Sequence, residues 1–331
     1  MTMVRLPPPL LIRFAWHLCG TYDKESKNGG SNGATMRFDA EANDPENAGF
    51  EKAKAVSEPI HKQFDWLSLA DLWILAGYVA IEAAGGPRMR FAYGRKDLTK
   101  DEAVAIFGKC GCPFGDGKFN PNGSRLPAAD LGPADRVSEN APMCIREAPT
   151  INAMRSTFSR MGLNDSETVA LILLGHQFGR CHKEVSGYEG AWWARDPTTW
   201  NSEGMGFLYC AARFDWEYEV NPCAQAQPMN PADRWPILIP ANRLKVNSWT
   251  VAIRPHPTLA QGKRQYDNTA RGHHIMMLIS DMCLTWDAEY RQHLQRYRND
   301  RGAFSSDATA AWKKLTELGC DGMLVEEATP L

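Results

Sequence analysis

The segment Leu10-Leu11-Ile12-Arg13-Phe14-Ala15-Trp16-His17 constrains this chain most, because an otherwise apolar stretch carries a cation, an indole and an imidazole. Residues three and four apart are neighbours on a helix, so Arg13, Trp16 and His17 share one patch. A buried guanidinium requires a compensating partner and a buried imidazole a hydrogen bond, so a negative or polarisable group is expected opposite them. The plain alternative is an amphipathic helix whose Arg13 stretches to water and whose His17 is a satisfied core residue. A second histidine, His176, ends the nearly all-apolar run Val169-Ala170-Leu171-Ile172-Leu173-Leu174-Gly175, which must be buried on most sides. A lone histidine there would ordinarily bond a backbone carbonyl. Here it is one of two, each at the interior end of an apolar helix, and only one has an arginine beside it.

The 331 residues suffice for one large domain or for two lobes around a cleft. A formal net charge of -2 gives no reason to expect a nucleic-acid partner. No apolar run approaches the roughly 18 residues of a membrane span. Residues 1–5 lack the basic and apolar regions of a signal peptide and lead straight into Pro7-Pro8-Pro9, so no targeting segment is visible in this sequence, although a longer precursor could carry one. Nine cysteines, an odd number without framework spacing, favour free thiols in a reducing environment. Cys110-Gly111-Cys112 is too tight for a zinc pair.

Pro9 suits a first helical turn and Gly20 a stop, which predicts a helix to about Cys19. The loop Asn28-Gly29-Gly30-Ser31-Asn32-Gly33 must turn the chain. A second helix is expected over roughly 48–64. A third starts at Ser68, whose spacing to Asp71 is that of a capping box, and ends at Gly85-Gly86-Pro87. Between Arg88 and Thr150 periodicity fades in a region rich in Gly, Pro, Asp and Asn, as in a connection wrapped round a site. Thr150 reads as the cap of a helix ending at Gly162, and Asn164 as the cap of the helix that reaches His176. Helical periodicity returns near 202–213, 272–282, 288–298 and 306–318. With no Asn-Gly hairpin signal, the expected class is mainly α.

Arg13-Phe14-Ala15-Trp16-His17, followed by Gly20-Thr21-Tyr22-Asp23, resembles the distal helix of class I haem peroxidases, the group of cytochrome c peroxidase, ascorbate peroxidase and catalase-peroxidase. The resemblance continues in order through Gly29-Gly30-Ser31-Asn32-Gly33-Ala34, Asn43-Asp44-Pro45-Glu46-Asn47-Ala48-Gly49, Gly94-Arg95-Lys96-Asp97 and Arg125-Leu126-Pro127. It then takes in Gly175-His176, Ser186-Gly187-Tyr188-Glu189-Gly190-Ala191-Trp192 and Met276-Met277-Leu278-Ile279-Ser280-Asp281. It covers the chain apart from the first few residues and about 200–272. It implies a mainly α haem peroxidase fold, with a distal lobe over 1–148, a proximal lobe over 149–331 that includes an extended insertion, and one haem b between them. There is no Cys-x-x-Cys-His, so that haem would be held without covalent links.

Carried over position by position, the resemblance makes His176 the proximal iron ligand, Asp281 the acceptor behind it and Trp192 the indole beside it. A carboxylate that accepts the ring N–H of an iron-bound imidazole raises the basicity of the ligand. The sulfurs of Met276 and Met277 near Trp192 would help to stabilise an oxidised indole, although methionines also serve as ordinary core filling. On the distal side, His17 takes the role of general base and then general acid on peroxide, and Asn47 accepts from its other ring nitrogen. Arg13 stabilises the charge that develops as the O–O bond breaks, and Trp16 walls the pocket. Arg180, His182 and Ser186 match positions that meet the haem propionates.

Several positions depart from the ascorbate-oxidising pattern. Val185 stands where that group has its substrate arginine and Arg5 where it has a lysine, while Gln177 and Trp193 replace hydroxyl-bearing residues of its cation site. These changes favour cytochrome c as the donor and liken the chain to cytochrome c peroxidase. Against this, Trp193-Ala194-Arg195 puts bulk and positive charge where that subfamily has small residues, facing a basic partner. The implied activity is reduction of hydrogen peroxide to water via a ferryl haem and a Trp192 radical, with ferrocytochrome c as donor. The alternatives are a hybrid or ascorbate-type peroxidase using small reductants, and a haem-binding sensor or pseudoperoxidase. The compartment implied is mitochondrial, in the intermembrane space or matrix, with the cytoplasm as the other reading.

Overall fold

The computed structural model describes residues 8–108, 113, 125–127, 147–192, 250–252, 265–270 and 273–326. In chain order these form α1 (Pro8–Cys19), α2 (Asp39–Ala42), α3 (Glu51–Gln63), α4 (Leu69–Ala83), β1 (Ala92–Tyr93), α5 (Lys100–Phe107), α6 (Glu147–Arg160), α7 (Asp165–His176), β2 (Arg180–Cys181) and α8 (Lys183–Ser186). There follow β3 (Gly190–Ala191), β4 (Thr250–Ala252), β5 (Gln265–Ala270), β6 (His273–Leu278), α9 (Ile279–Trp286), α10 (Ala288–Asn299), α11 (Arg301–Glu317) and β7 (Val325–Glu326). The architecture is mainly α, as the patterning predicts.

Helix α1 buries Ile12, Phe14, Ala15, Leu18 and Cys19 and packs along α4, with α3, α7 and α11 also against it. The close approach of α1 and α4 depends on Gly77, since a Cβ there would lie 2.6 Å from that of Ala15 and 3.1 Å from the Trp312 ring. Fully buried residues tolerate such overlap poorly, because interiors are packed to crystal density. Helix α7 starts with a capping box in which the Asn164 side chain accepts from the Glu167 N–H and the Glu167 carboxylate accepts from the Asn164 N–H. It then buries Val169, Ala170, Leu171, Leu173 and Leu174 between α10 and α11, which aims His176 into the interior.

Two of the glycine-rich motifs turn out to be one frame. Gly33 donates to the Lys96 carbonyl, Leu98 donates to the Gly33 carbonyl, and Lys96 N–H meets Asn32 Oδ1 at 2.8 Å. Arg95, with a side chain wholly inaccessible to solvent, donates to Asp71 at 2.8 Å, to Ser31 Oγ at 2.9 Å and to the Thr316 carbonyl at 2.6 Å. A buried cation so fully paired ties α1's outgoing loop to α4 and α11, and loss of any partner would leave an uncompensated charge. Ser68 does cap α4 by accepting from the Asp71 N–H, but the Asp71 carboxylate turns to Arg95 and to the Gly94 N–H instead of completing the box. Asp97 takes the spare N–H groups of Leu69 and Ala70 at 2.9 Å each.

The main departure from expectation lies at 272–282. The residues of β6 are extended and pair on one side with β5, antiparallel, and on the other with β3, parallel, in a five-stranded sheet of order β2-β3-β6-β5-β4. Helix begins only at Ile279. A short continuous apolar run reads alike as buried helix or buried strand, and here the β5 partner decides. That partner and β4 belong to the expected insertion, so these parts of it extend the sheet; 202–213, Trp216, Trp235 and Trp249 lie outside the described residues. Within 88–150, α5 was missed although Thr99 and Glu102 form a full capping box at its start. Thr150 is not a cap but lies in the first turn of α6, which begins at Glu147, and α11 starts at Arg301 behind an Asp300 cap.

Candidate functional site

On the α1 side, His17 Nδ1 meets Asn47 Oδ1 at 3.0 Å, and Asn47 Nδ2 donates to the Glu41 carbonyl at 2.9 Å. Asn47 is 1 % exposed, so both ends of its amide are fixed and the ring is held by an acceptor that cannot ionise. With Nδ1 donating, His17 Nε2 is left as an acceptor. Burial, and next the nearby Arg13 cation, hold the His17 imidazole well below its usual range, against the smaller opposing pull of Asn47. The ring is therefore neutral and ready to take a proton near pH 7. Arg13 donates to the carbonyls of Ala48 (3.0 Å) and Glu46 (2.8 Å), and its guanidinium lies 4.3 Å from the centre of the Phe50 ring. Phe50 also packs edge-on to His17 at 4.9 Å, and Trp16 flanks that imidazole at 5.4 Å. Phe50 went unnoticed in the sequence; an aromatic immediately after Asn-Ala-Gly and ahead of α3 was the available signal.

On the α7 side, one carboxylate does three things. Asp281, 1 % exposed, meets His176 Nδ1 at 2.6 Å through one oxygen, while the other accepts from Trp192 Nε1 and from the Leu278 N–H, each at 2.7 Å. The Trp192 indole stacks on the His176 ring with centroids 4.6 Å apart and planes 20° from parallel. Topology explains the meeting: β3 and β6 run parallel, so Trp192 just beyond β3 and Asp281 just beyond β6 emerge at the same end of the sheet. Met276 and Met277 are both buried; neighbouring positions of a strand address opposite faces, so β6 is covered on both.

The His176 side chain keeps 30 % exposure despite its place on an apolar helix. With Nδ1 bonded to Asp281, Nε2 is the ring nitrogen that would make a single axial bond to a metal held mainly by another group. Among the described residues no cluster of three or more His, Cys, Asp or Glu could hold a metal by itself. Cys181 borders the space between the two halves, close enough to feel both the Asp281 carboxylate and the Arg13 cation, and burial pushes its thiol up to about 12. The two halves also touch at the rim. Gly49, at φ +89°, lies so close to Val185 that a Cβ would come within 2.6 Å of it.

Arg180, His182 and Ser186 occupy the β2–α8 rim rather than the interior. Arg180 donates to Glu189 at 2.8 Å, and Ser186 Oγ donates to the His182 carbonyl at 3.3 Å. Val185 is an exposed aliphatic on the same rim, and Gln177, which follows α7, is buried. Arg5 and Trp193-Ala194-Arg195 fall outside the described residues. Among those described, Cys19, Cys181, Cys283 and Cys320 are free thiols, and no helix is long and apolar enough to cross a membrane.

The family model described as Peroxidase matches residues 4–300. A protein of Aspergillus fumigatus named "Putative heme-binding peroxidase" is 33 % identical over 311 residues, covering 94 % of this chain and 74 % of that protein. One of the same name from Candida albicans is 35 % identical, with 94 % and 80 % covered. The mitochondrial cytochrome c peroxidase of Aspergillus fumigatus is 35 % identical over 312 residues, covering 94 % of this chain and 63 % of that protein. Matched along nearly its whole length, and carrying the class I haem peroxidase motifs in order, the chain belongs to the peroxidase family.

Proposed function

We propose that this peroxidase holds one haem b, without covalent links, between a distal lobe (1–148) and a proximal lobe (149–331), with His176 as its axial ligand, and that it reduces hydrogen peroxide with electrons taken from ferrocytochrome c through Trp192. The observation that carries the reading is the Asp281 carboxylate shared by His176 and Trp192. It fits the imidazole as a strongly basic ligand, and it sets a full negative charge against an indole N–H. When bound, the haem supplies the redox chemistry for cleaving the O–O bond.

The chain's own residues supply the rest. His17 removes a proton from the near oxygen of peroxide through Nε2 and returns it to the departing oxygen, which leaves as water. Arg13 and Trp16 offer donors to the charge that develops between them, and Arg13 keeps its charge throughout. Trp192 gives up one electron, and Asp281 stabilises the oxidised indole until cytochrome c refills it. Two such single-electron deliveries with two protons complete the reduction to water. Arg180, His182 and Ser186 at the rim suit the carboxylate groups of the cofactor, and of Met276 and Met277, on opposite faces of β6, the one on the Trp192 side would back the proximal half.

The exposed aliphatic Val185 disfavours an anionic reductant such as ascorbate at that rim. A sensor that only binds haem has no use for the Arg13, His17 and Asn47 arrangement. The names of relatives agree with a mitochondrial location. The test is steady-state turnover with cytochrome c and ascorbate side by side. Cytochrome c is expected to be oxidised faster, and Trp192→Phe to abolish its oxidation while peroxide is still consumed. Faster ascorbate turnover, unaffected by Trp192→Phe, contradicts the donor assignment.

A further inference from the structure

A cavity of about 360 Å³ opens beside α3 and α4, a size in the range of small-molecule sites. Its lining grades from water inwards. Glu51, Ala55 and Glu58 are exposed at its mouth, Arg37, Lys54 and Leu69 are half-buried, and Ser57 and Trp73 are buried at its floor. Trp73 is fixed there, because its Nε1 donates to Ser57 Oγ at 2.9 Å and that hydroxyl donates to the Lys54 carbonyl at 2.6 Å. The same indole also meets the interior. It packs edge-on to Phe14 with centroids 5.2 Å apart, Phe14 lies 5.1 Å from Phe50, and Phe50 lies 4.9 Å from the His17 ring. An unbroken file of rings thus joins the cavity to the distal histidine. Of Trp73, Phe14 and Phe50, only the indole gives up an electron readily; the two phenyl rings bridge the distance.

We propose that this cavity is a second reductant site, which takes a phenol bearing a carboxylate and passes its electrons through Trp73 to the peroxide-oxidised cofactor; the proposal rests on the peroxidase reading above. Arg37 and Lys54, half-buried, supply charge for the carboxylate, and Leu69 and Trp73 supply an apolar, aromatic surface for the ring. Glu51 and Glu58 stay hydrated at the mouth, where water and salt screen them from an anion deeper in. In each step the oxidised cofactor takes one electron from Trp73, and the bound phenol returns one to the indole as its O–H bond breaks and the proton leaves to water. Trp73 keeps its own N–H on Ser57, so it carries the electron alone. Two phenols supply the two electrons that one peroxide consumes; they leave as phenoxyl radicals, and the peroxide leaves as water. Cytochrome c, far too large for the cavity, keeps to the Trp192 route.

The test begins without peroxide. In equilibrium dialysis the haem-loaded chain is expected to bind 4-hydroxycinnamate, with cinnamate, which lacks the hydroxyl, competing for the same site. Lys54→Met weakens that binding by about tenfold, and Ala55→Phe, which fills the mouth, abolishes it. With peroxide, 4-hydroxycinnamate is oxidised and cinnamate is not, and both Trp73→Phe and Ala55→Phe lose most of the turnover. Ala55 is an exposed helical position, so its variant carries the prediction even where loss of the Trp73 indole impairs folding. With peroxide and no reductant, peptide mass spectrometry finds Trp73 oxidised, and added 4-hydroxycinnamate protects it. Binding that survives Ala55→Phe, turnover unchanged in both variants, or peroxide-driven oxidation that spares Trp73 overturns the proposal. Absence of any reaction with peroxide, while 4-hydroxycinnamate still binds and Ala55→Phe still abolishes its binding, contradicts the parent reading instead.

Discussion

The two histidines His17 and His176 differ in what stands behind them. His176 leans on Asp281, a buried carboxylate at 2.6 Å, whereas His17 leans on Asn47, a buried amide at 3.0 Å. A carboxylate raises the electron density of the ring it accepts from and holds one tautomer firmly. An amide holds the same tautomer but leaves basicity to the surroundings, and around His17 these are burial and a cation. The same side chain is thereby suited to bind a metal on one face and to shuttle a proton on the other.

Replacing His17 by Leu gives the sharpest break in this comparison. If the ring is the proton carrier, the rate constant for peroxide falls by about 10²–10⁴, while haem uptake and its absorption spectrum stay nearly unchanged. The same variant carries a pH signature. A histidine kept neutral by the fold takes up its proton only on unfolding, so acid below its unfolded value of about 6.5 destabilises the wild type. Thermal midpoints compared between pH 7 and about 5 should fall less in His17→Leu than in the wild type. Asp281→Asn, a smaller change, makes the proximal side resemble the distal one in what it lacks. It should weaken haem affinity or turnover by about 10–100-fold, measurable by haem titration and stopped-flow mixing. It should also remove the charge facing Trp192, so the loss with cytochrome c exceeds the loss in peroxide consumption.

Much of the candidate site was legible in the sequence because its parts obey local rules. The Arg13–His17 spacing needs only helical periodicity, and the direction of His176 follows from a capped apolar helix. Asp281 and Trp192 came from the order of motifs, since no local rule brings the ends of two strands 89 residues apart together. The expected helix over 272–282 failed before Ile279 because a strand buried on both faces shows no alternation. Phe50 is harder to read for a different reason: its place after Asn-Ala-Gly marks it, but its role lies in tertiary contacts with Arg13 and His17, where sequence carries no period.

The central claim is that His176 grips the cofactor and His17 does not. Haem titrations of the wild type, His176→Ala and His17→Leu, followed by the visible absorption spectrum and by paramagnetic resonance, address it directly. The account predicts tight uptake with the same proximal imidazole signature in the wild type and His17→Leu, and loss of that signature with much weaker uptake in His176→Ala. Uptake by His176→Ala as tight as that of the wild type, with its spectrum unchanged, would contradict it.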